Sequence, residues 1–116
     1  MRQDESKLQA ACVEWFRWNY PKLHLNLFAI PNGGHRNVVT ASRLKREGVT
    51  AGVADLFLAV TNKDAPGLFI EMKIEGGYQQ PTQKAFEAAI TPYRYQYVIC
   101  RSLQDFIETI KAYMGY

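Results

Sequence analysis

The sequence is poor in the features that mark secreted, membrane-bound or metal-cluster proteins. Its 116 residues include only two cysteines and two histidines. No apolar run approaches the roughly 20 residues that a membrane-spanning helix needs, and the N-terminal segment MRQDESKLQ has no apolar stretch of the kind that directs secretion. We therefore expect a cytoplasmic protein without a membrane partner, in which Cys12 and Cys100 are reduced, packed thiols rather than a disulfide or a metal pair.

A strong excess of one charge is also missing. The net charge is +3, and 47% of the residues are hydrophobic against 22% charged, which excludes a disordered or low-complexity chain. Mild basicity is compatible with a polyanionic partner but is weak evidence for one. The length favours one domain over residues 1–116.

The pattern of apolar residues and turn residues predicts alternating helices and strands. In chain order they are a helix over 3–20, a strand over 23–30, a short helix over 40–48, strands over 55–60 and 67–74 joined as an antiparallel hairpin, a helix over 82–90, a strand over 93–100 and a last helix from 103. Helix caps are expected at Thr40, Thr82 and Ser102, and Gly48 suits a left-handed helix end. This order predicts an α/β fold with a mixed β-sheet flanked by helices.

The stretch GLFIEMKIEGG, residues 67–77, carries an acid and a base on one face of a strand. Glu71 and Lys73 alternate with apolar residues, and for an isolated pair the commonest structure is a solvated polar face. If Val60 lies opposite Leu68, Asp55 of the partner strand lies opposite Lys73. Any register in which odd-numbered residues lie opposite odd-numbered residues puts Asp55 on the face of Glu71 and Lys73. A slip of one residue moves Asp55 to the other face of the sheet. The apolar residues around these charges favour a polar pocket at the edge of a covered sheet.

Such a pocket has the parts for metal-assisted phosphodiester hydrolysis. Asp55, Glu71 and the backbone carbonyl of Met72 form an oxygen-ligand set suited to Mg²⁺ or Mn²⁺. Lys73 on the same face can orient the attacking water or bind the phosphate. A third acid, Glu5, lies on the buried side of the first helix with Gln9 one turn further on. Glu5 is either a member of the site or an N-terminal acid that complements the helix dipole.

The segment that follows the first predicted strand is rich in groups that bind phosphate. PNGGHR offers free backbone N–H groups in a glycine-rich loop, and basic side chains crowd the short helix after it. Contacts of this kind position DNA without reading its sequence, although a solvated surface has the same composition. The candidate DNA-binding residues are Asn32, His35, Arg36, Arg43, Lys45 and Arg46.

These residues together resemble a known family. GVADLFL followed by LFIEMK looks like the PD-(D/E)xK nuclease signature, and the chain as a whole resembles the VRR-NUC nucleases, particularly the small stand-alone forms of phages and bacteria. The segments DESKLQ, IPNGGHR, RLKREGVTAGVADLFL and GLFIEMKIEGGYQQPTQ carry the likeness. Ala54 stands where the motif has proline, a position that shapes a turn and carries no chemistry.

The resemblance implies a restriction-endonuclease-like core with defined site residues. Asp55 and Glu71 would bind the metal, Lys73 would be the catalytic lysine, Glu5 would be the acid on the helix, and Gln83 matches the glutamine that follows the core strand. Whether the helix contributes Glu5 alone or together with Gln9 stays open.

The resemblance also implies a substrate and a setting. It points to a structure-specific DNA endonuclease acting on branched DNA such as Holliday junctions, in a bacterial or phage-infected cell. Symmetric cleavage of a four-way junction needs two active sites, which a homodimer would supply. The tyrosines late in the chain fit either its interface or the core; they are Tyr93, Tyr95, Tyr97, Tyr113 and Tyr116. The alternatives are a flap or nicking nuclease without junction preference and a non-catalytic nucleic-acid-binding module.

Overall fold

A four-stranded mixed sheet forms the centre of the computed structural model, which describes residues 3–31 and 38–115 apart from the Gln3 side chain. The elements in chain order are α1 (Gln3–Asn19), a 3₁₀ segment (Pro21–Asn26), β1 (Leu27–Ala29), α2 (Val38–Arg46), β2 (Leu56–Leu58), β3 (Leu68–Met72), α3 (Pro81–Ile90), a 3₁₀ segment (Thr91–Tyr93), β4 (Gln96–Cys100) and α4 (Leu103–Met114). Strands β1, β2 and β3 pair antiparallel, and β4 lies parallel to β3. The predicted α/β fold with a mixed sheet is therefore confirmed.

The first predicted strand is half as long as expected. Only Leu27–Ala29 of the stretch 23–30 pairs with the sheet, because the chain enters through a 3₁₀ segment that Pro21 begins. The Asn26 side chain donates to the Ala59 carbonyl (2.9 Å), and the Asn26 carbonyl accepts from the Ala59 N–H (2.7 Å). The apolar Leu25, which the alternation placed in a strand, is 87% exposed.

The predicted hairpin between β2 and β3 is confirmed, but its exact register differs. Phe57 lies opposite Phe69, two positions from the pairing that places Val60 opposite Leu68. The reason is the turn, in which the Asn62 side chain accepts the N–H groups of Asp64 (2.8 Å) and Ala65 (2.7 Å) and so draws residues 59–67 out of the ladder. Because the register is shifted by two residues, an even number, Asp55 still shares a face with Glu71 and Lys73.

The main core lies on the opposite face of the sheet, under α1 and α4. It consists of Cys12, Phe16, Leu27, Leu56, Leu58, Ala65, Leu68, Ile70, Met72, Cys100, Phe106, Ile110 and Tyr113. Both cysteines are buried free thiols, as expected, and burial raises the pKa of Cys12 to about 12. No helix in the described ranges is long and apolar enough to cross a membrane.

The helix ends show which cap predictions hold. Ser102 caps α4, because its hydroxyl accepts the N–H of Asp105 (3.0 Å), and Gly48 adopts the expected left-handed conformation (φ +104°). The predictions for Thr40 and Thr82 are wrong. Both residues lie inside helices that begin earlier, at Val38 and Pro81.

Gly52 fixes α3 against the segment that leads into β2. Its φ is +92°, and a Cβ there would lie 2.2 Å from the Thr82 carbonyl oxygen. Gly76 has a similar φ of +85° with nothing within 4 Å of an added Cβ, so it provides a matched control. We expect Gly76→Ala to lower the free energy of unfolding by about 1–2 kcal/mol through backbone strain alone. Gly52→Ala should lower it by roughly 1–3 kcal/mol more, as measured by urea denaturation; equal losses would contradict the close packing of α3 on Gly52.

Candidate active site at the end of β3

Three charged side chains meet where β2 begins and β3 ends. Glu71 is 2% exposed and Lys73 is 7% exposed, and the Lys73 Nζ lies 3.7 Å from Glu71 Oε2. Asp55 immediately precedes β2, and its Oδ2 accepts the N–H of Met72 at 2.7 Å. The structure thus brings together the acid pair and the lysine that the strand alternation placed on one face.

An apolar surrounding makes this charge cluster unusual. Aromatic rings cover the same face of the sheet beside it, with centroid separations of 4.5 Å for Phe57–Phe69 and 5.0 Å for Phe69–Phe86; Tyr95 packs on Phe69 at 5.5 Å. We call Phe57, Phe69, Phe86 and Tyr95 the aromatic layer. It excludes water from the face on which Glu71 lies, and buried carboxylates are stable only when they are neutralised or paired.

Burial and neighbouring charge raise the pKa of Glu71 to about 8. Burial is the largest cause, and the Asp55 carboxylate adds to it through repulsion and a hydrogen bond. The Lys73 charge lowers this pKa, and Glu5 on α1 raises it. Glu5 is therefore close enough to interact with Glu71 electrostatically, which places the N-terminal end of α1 beside the site. Without a bound cation, Glu71 is mostly protonated at neutral pH.

Gln83 is held so that its amide group points at Glu71. Its Oε1 accepts the backbone N–H of Gln80 (2.7 Å) at the start of α3, which leaves its Nε2 to donate to Glu71 Oε2 (2.9 Å). This is the arrangement of a capping box, in which the third helical residue reaches back to the cap. The sequence signal for Gln83 besides the family resemblance is that spacing, Gln80 followed three residues later by Gln83.

In the described residues, two buried side-chain oxygens have no hydrogen-bond partner. One is Glu71 Oε1 in this cluster, and the other is Gln9 Oε1, which lies on α1 one turn beyond Glu5. Residues of an extended strand direct their N–H and C=O to the same neighbour, so the Met72 carbonyl points to the side on which Asp55 binds the Met72 N–H. The unpartnered oxygen of Glu71 and the nearby Asp55 carboxylate fit a hard, oxygen-preferring divalent cation.

The ligand set differs from a dense carboxylate or histidine cluster. Within the part of the chain that the structure describes, no three histidine, cysteine, aspartate or glutamate side chains have metal-binding geometry. A cation here would rely on Asp55, Glu71 and neutral oxygens, which is the composition typical of Mg²⁺ sites.

An arginine that the sequence pattern did not reveal holds the loop after β3. We call residues 75–80 the site loop. The Arg101 guanidinium donates to the carbonyls of Ile74 (3.2 Å) and Gly77 (2.6 Å). The loop passes close to Lys73 at Gly77, where an added Cβ would lie 3.7 Å from the Lys73 Cδ. Arg101 follows β4 and is 24 residues from Gly77 along the chain, so no local sequence pattern predicts the contact.

The predicted DNA-binding residues that the structure describes make no polar contact with this cluster, and the others lie outside the described residues. Arg43, Lys45 and Arg46 are exposed in the second half of α2. Their side chains make no hydrogen bond or ion pair with Asp55, Glu71 or Lys73 in the described ranges. The others, Asn32, His35 and Arg36, fall within residues 32–37, which the structure does not describe.

Comparison with known proteins finds a structural neighbour for this geometry. No protein-family model and no curated protein matches the chain. A solved structure described as "VRR_NUC domain protein" superposes with a TM-score of 0.82 and 26% sequence identity, covering 95% of this chain and 87% of the other. This match agrees with the resemblance that GVADLFL and LFIEMK suggested, and it supports a VRR-NUC domain, which is a nuclease-type domain.

Proposed function

We propose that this chain is a Mg²⁺- or Mn²⁺-dependent endonuclease that hydrolyses phosphodiester bonds in branched DNA, four-way junctions included. The observation that carries the proposal is the buried Glu71, whose Oε1 has no partner and which lies between Asp55 and Lys73. A structural protein gains nothing from a carboxyl group whose ionisation is so unfavourable, whereas perturbed acids of this kind cluster at catalytic sites.

The proposed chemistry assigns a role to each side chain of the cluster. When bound, a divalent cation supplies a Lewis acid that stabilises charge on the phosphoryl oxygens and makes water more acidic. Asp55, Glu71 and the Met72 carbonyl would hold the cation, and Gln83 orients Glu71 through its 2.9 Å hydrogen bond. The Lys73 ammonium, 3.7 Å from Glu71 Oε2, positions the attacking water or binds a non-bridging phosphate oxygen.

Helix α1 contributes to the same site in this proposal. The effect of Glu5 on the Glu71 pKa supports a role for Glu5 as the helix acid. The buried, unpartnered Oε1 of Gln9 supports a second contribution one turn further along. We therefore assign both residues to the site, Glu5 through its charge and Gln9 through a neutral oxygen.

The proposed DNA path uses the basic residues of 32–46 and a groove along α1. This groove is a cavity of about 560 Å³ between α1 and β1, with Gln9, Arg17 and Phe28 among its lining residues. Phosphates would be bound by the exposed cations of α2 and by the loop before it; these residues are Asn32, His35, Arg36, Arg43, Lys45 and Arg46.

In this proposal a homodimer supplies the two active sites that symmetric junction cleavage needs. The tyrosines late in the chain differ in whether they are exposed enough to form the dimer interface. Tyr93 is 74% exposed and is available for an interface. Tyr113 belongs to the core, where its hydroxyl donates to the Val60 carbonyl (2.6 Å). Tyr95 and Tyr97 are half-buried against the aromatic layer, and Tyr116 lies outside the described residues.

The test compares labelled four-way junction, flap, nicked and linear DNA in Mg²⁺ and in EDTA. We expect paired, symmetric cuts in the junction, no cutting in EDTA, and a dimeric mass by light scattering. Equal cutting of flap and junction DNA would replace junction specificity with a flap or nicking activity. Full DNA affinity in EDTA, with no cutting and no rise of the melting temperature in Mg²⁺, would show a non-catalytic binding module instead.

A further inference from the structure

Tyr78 is an exposed aromatic residue in the site loop. It follows Gly77, which lies near Lys73, and it precedes Gln79 and Gln80, which lead into α3 and Gln83. Its residue surface is 70% exposed. In the described part of the chain its side chain makes no hydrogen bond or ring contact. A single exposed aromatic residue is common on protein surfaces. What distinguishes Tyr78 is that both of its neighbours in the chain are held by long-range polar contacts.

The residue before Tyr78 is tied to the catalytic end of β3. Arg101 donates to the Gly77 carbonyl at 2.6 Å, and the Gly77 N–H donates to the Ile74 carbonyl at 3.0 Å. A Cβ added at Gly77 would lie 3.7 Å from the Lys73 Cδ. The chain that leads into Tyr78 therefore passes close to the side chain of the proposed catalytic lysine.

The residue after Tyr78 is tied to α3 and β4. The Gln79 Nε2 donates to Glu87 Oε1 (2.8 Å) and to the Tyr97 hydroxyl (3.3 Å). Gln80 then begins α3 with its N–H on Gln83. Tyr97 lies opposite Phe69, two residues before Glu71 along β3, so this anchor is on the same face of the sheet as Glu71.

We propose that Tyr78 stacks on the base of an unpaired nucleotide next to the scissile phosphate, and so gives the site its preference for branched over fully paired DNA. This inference rests on the proposed nuclease function. A base inside a duplex is stacked on both sides and offers no free face, whereas an unpaired base at a branch does. A ring displayed on a fixed loop loses little conformational freedom when it stacks, since its two flanking residues are already ordered. Lys84, exposed one residue after Gln83, provides a positive charge for the adjoining phosphate.

The test uses 2-aminopurine as the unpaired base at a three-nucleotide gap, because its fluorescence is quenched by stacking. Binding is measured in EDTA, so that no cleavage is required. We expect the wild-type protein and Tyr78→Phe to quench the probe, and Tyr78→Ala to lose the quenching and bind gapped DNA roughly 5- to 150-fold more weakly. Affinity for the fully paired duplex should be unchanged.

Trp18→Ala is the matched control. Trp18 is 80% exposed, but it lies in the last turn of α1, whereas Glu5 and Gln9 lie in the first two turns of that helix. Trp18→Ala should quench the probe and bind gapped DNA like the wild-type protein.

Several outcomes would overturn the inference. They are an absence of quenching by the wild-type protein, wild-type quenching and affinity in Tyr78→Ala, and an equal loss of affinity for gapped and paired DNA. Failure of the nuclease function gives a different pattern. In that case no substrate is cut in Mg²⁺, while the quenching of the probe by wild-type protein and its loss in Tyr78→Ala still decide the role of Tyr78.

Discussion

Lys73→Met is expected to lower the rate of DNA cleavage about 10²- to 10⁴-fold, the contribution typical of a positioned proton-transfer group. Lys73 is 7% exposed, and its ammonium has its one ion pair within the described residues with Glu71. Methionine is unbranched and flexible, so it fills the space of the lysine stem without a cavity. The fold should therefore survive while the positive charge that we propose acts on the phosphate or the attacking water is lost. Single-turnover cleavage at saturating Mg²⁺ measures the effect.

The saturating metal concentration is essential to that experiment. The Lys73 charge lowers the pKa of Glu71, so its removal raises that pKa further and makes the carboxylate harder to ionise. Metal binding should then shift to higher pH as a secondary effect, and only a rate measured at saturation isolates the role of Lys73 in the reaction. A variant that cleaves at the wild-type rate under these conditions would remove Lys73 from the mechanism.

Asp55→Asn separates metal binding from the function of the lysine. An asparagine keeps a side-chain oxygen for the Met72 N–H, the 2.7 Å contact that holds the end of β3, but it lacks the negative charge. We expect this variant to lose the Mg²⁺-dependent rise of the melting temperature, and Lys73→Met to keep it. If both variants behave alike in this thermal assay, the division of roles between the two residues is wrong.

Strand alternation was sufficient to predict that Asp55, Glu71 and Lys73 meet. Placing Asp55 with Glu71 and Lys73 required only that odd-numbered residues of one strand lie opposite odd-numbered residues of the other. The apolar residues around them favour such a register, because a shift of one residue would turn them to the other face of the sheet. The exact register was wrong because Asn62 builds its own turn through side-chain hydrogen bonds to Asp64 and Ala65, a local competition that the apolar pattern does not show.

Contacts between distant segments are what the sequence could not predict. Arg101 binds the site loop and Gln79 binds Glu87 and Tyr97, and none of these pairs follows a helix or strand period. The cap predictions at Thr40 and Thr82 are wrong because both helices begin before these residues. Helix α2 begins at Val38, and Pro81 with Gln80 and Gln83 provides a better start for α3.

Glu71→Gln is expected to make the metal-free protein more stable and the enzyme inactive. In the folded protein the pKa of Glu71 is about 8, against 4.5 for an ordinary glutamate. Below pH 4.5 the carboxyl is protonated in both states and costs nothing. Between these values the folded state keeps a proton that the unfolded chain has released, so stability falls as the pH rises. Above the folded pKa the full cost is present, about 3–5 kcal/mol from this pKa difference.

Glutamine reproduces the protonated acid without its pH dependence. It can accept the hydrogen bond from Gln83 Nε2 and donate toward Asp55, as the neutral carboxyl does. Urea denaturation in EDTA from pH 5 to pH 9 should therefore show a declining free energy of unfolding for the wild-type protein and a nearly flat one for Glu71→Gln. Glu75→Gln is the matched control, because Glu75 is exposed beyond the end of β3 and should keep the wild-type slope.

Added Mg²⁺ gives the decisive contrast for Glu71. Metal binding requires the ionised carboxylate, so it releases the proton that Glu71 holds at neutral pH and becomes tighter as the pH rises toward 8. The wild-type protein should regain stability in Mg²⁺ most strongly at high pH, and Glu71→Gln should gain little at any pH. Equal pH slopes for the two proteins in EDTA would mean that Glu71 ionises freely in the folded state. Relief of an unfavourable buried carboxylate would then not contribute to the binding of a cation at this site.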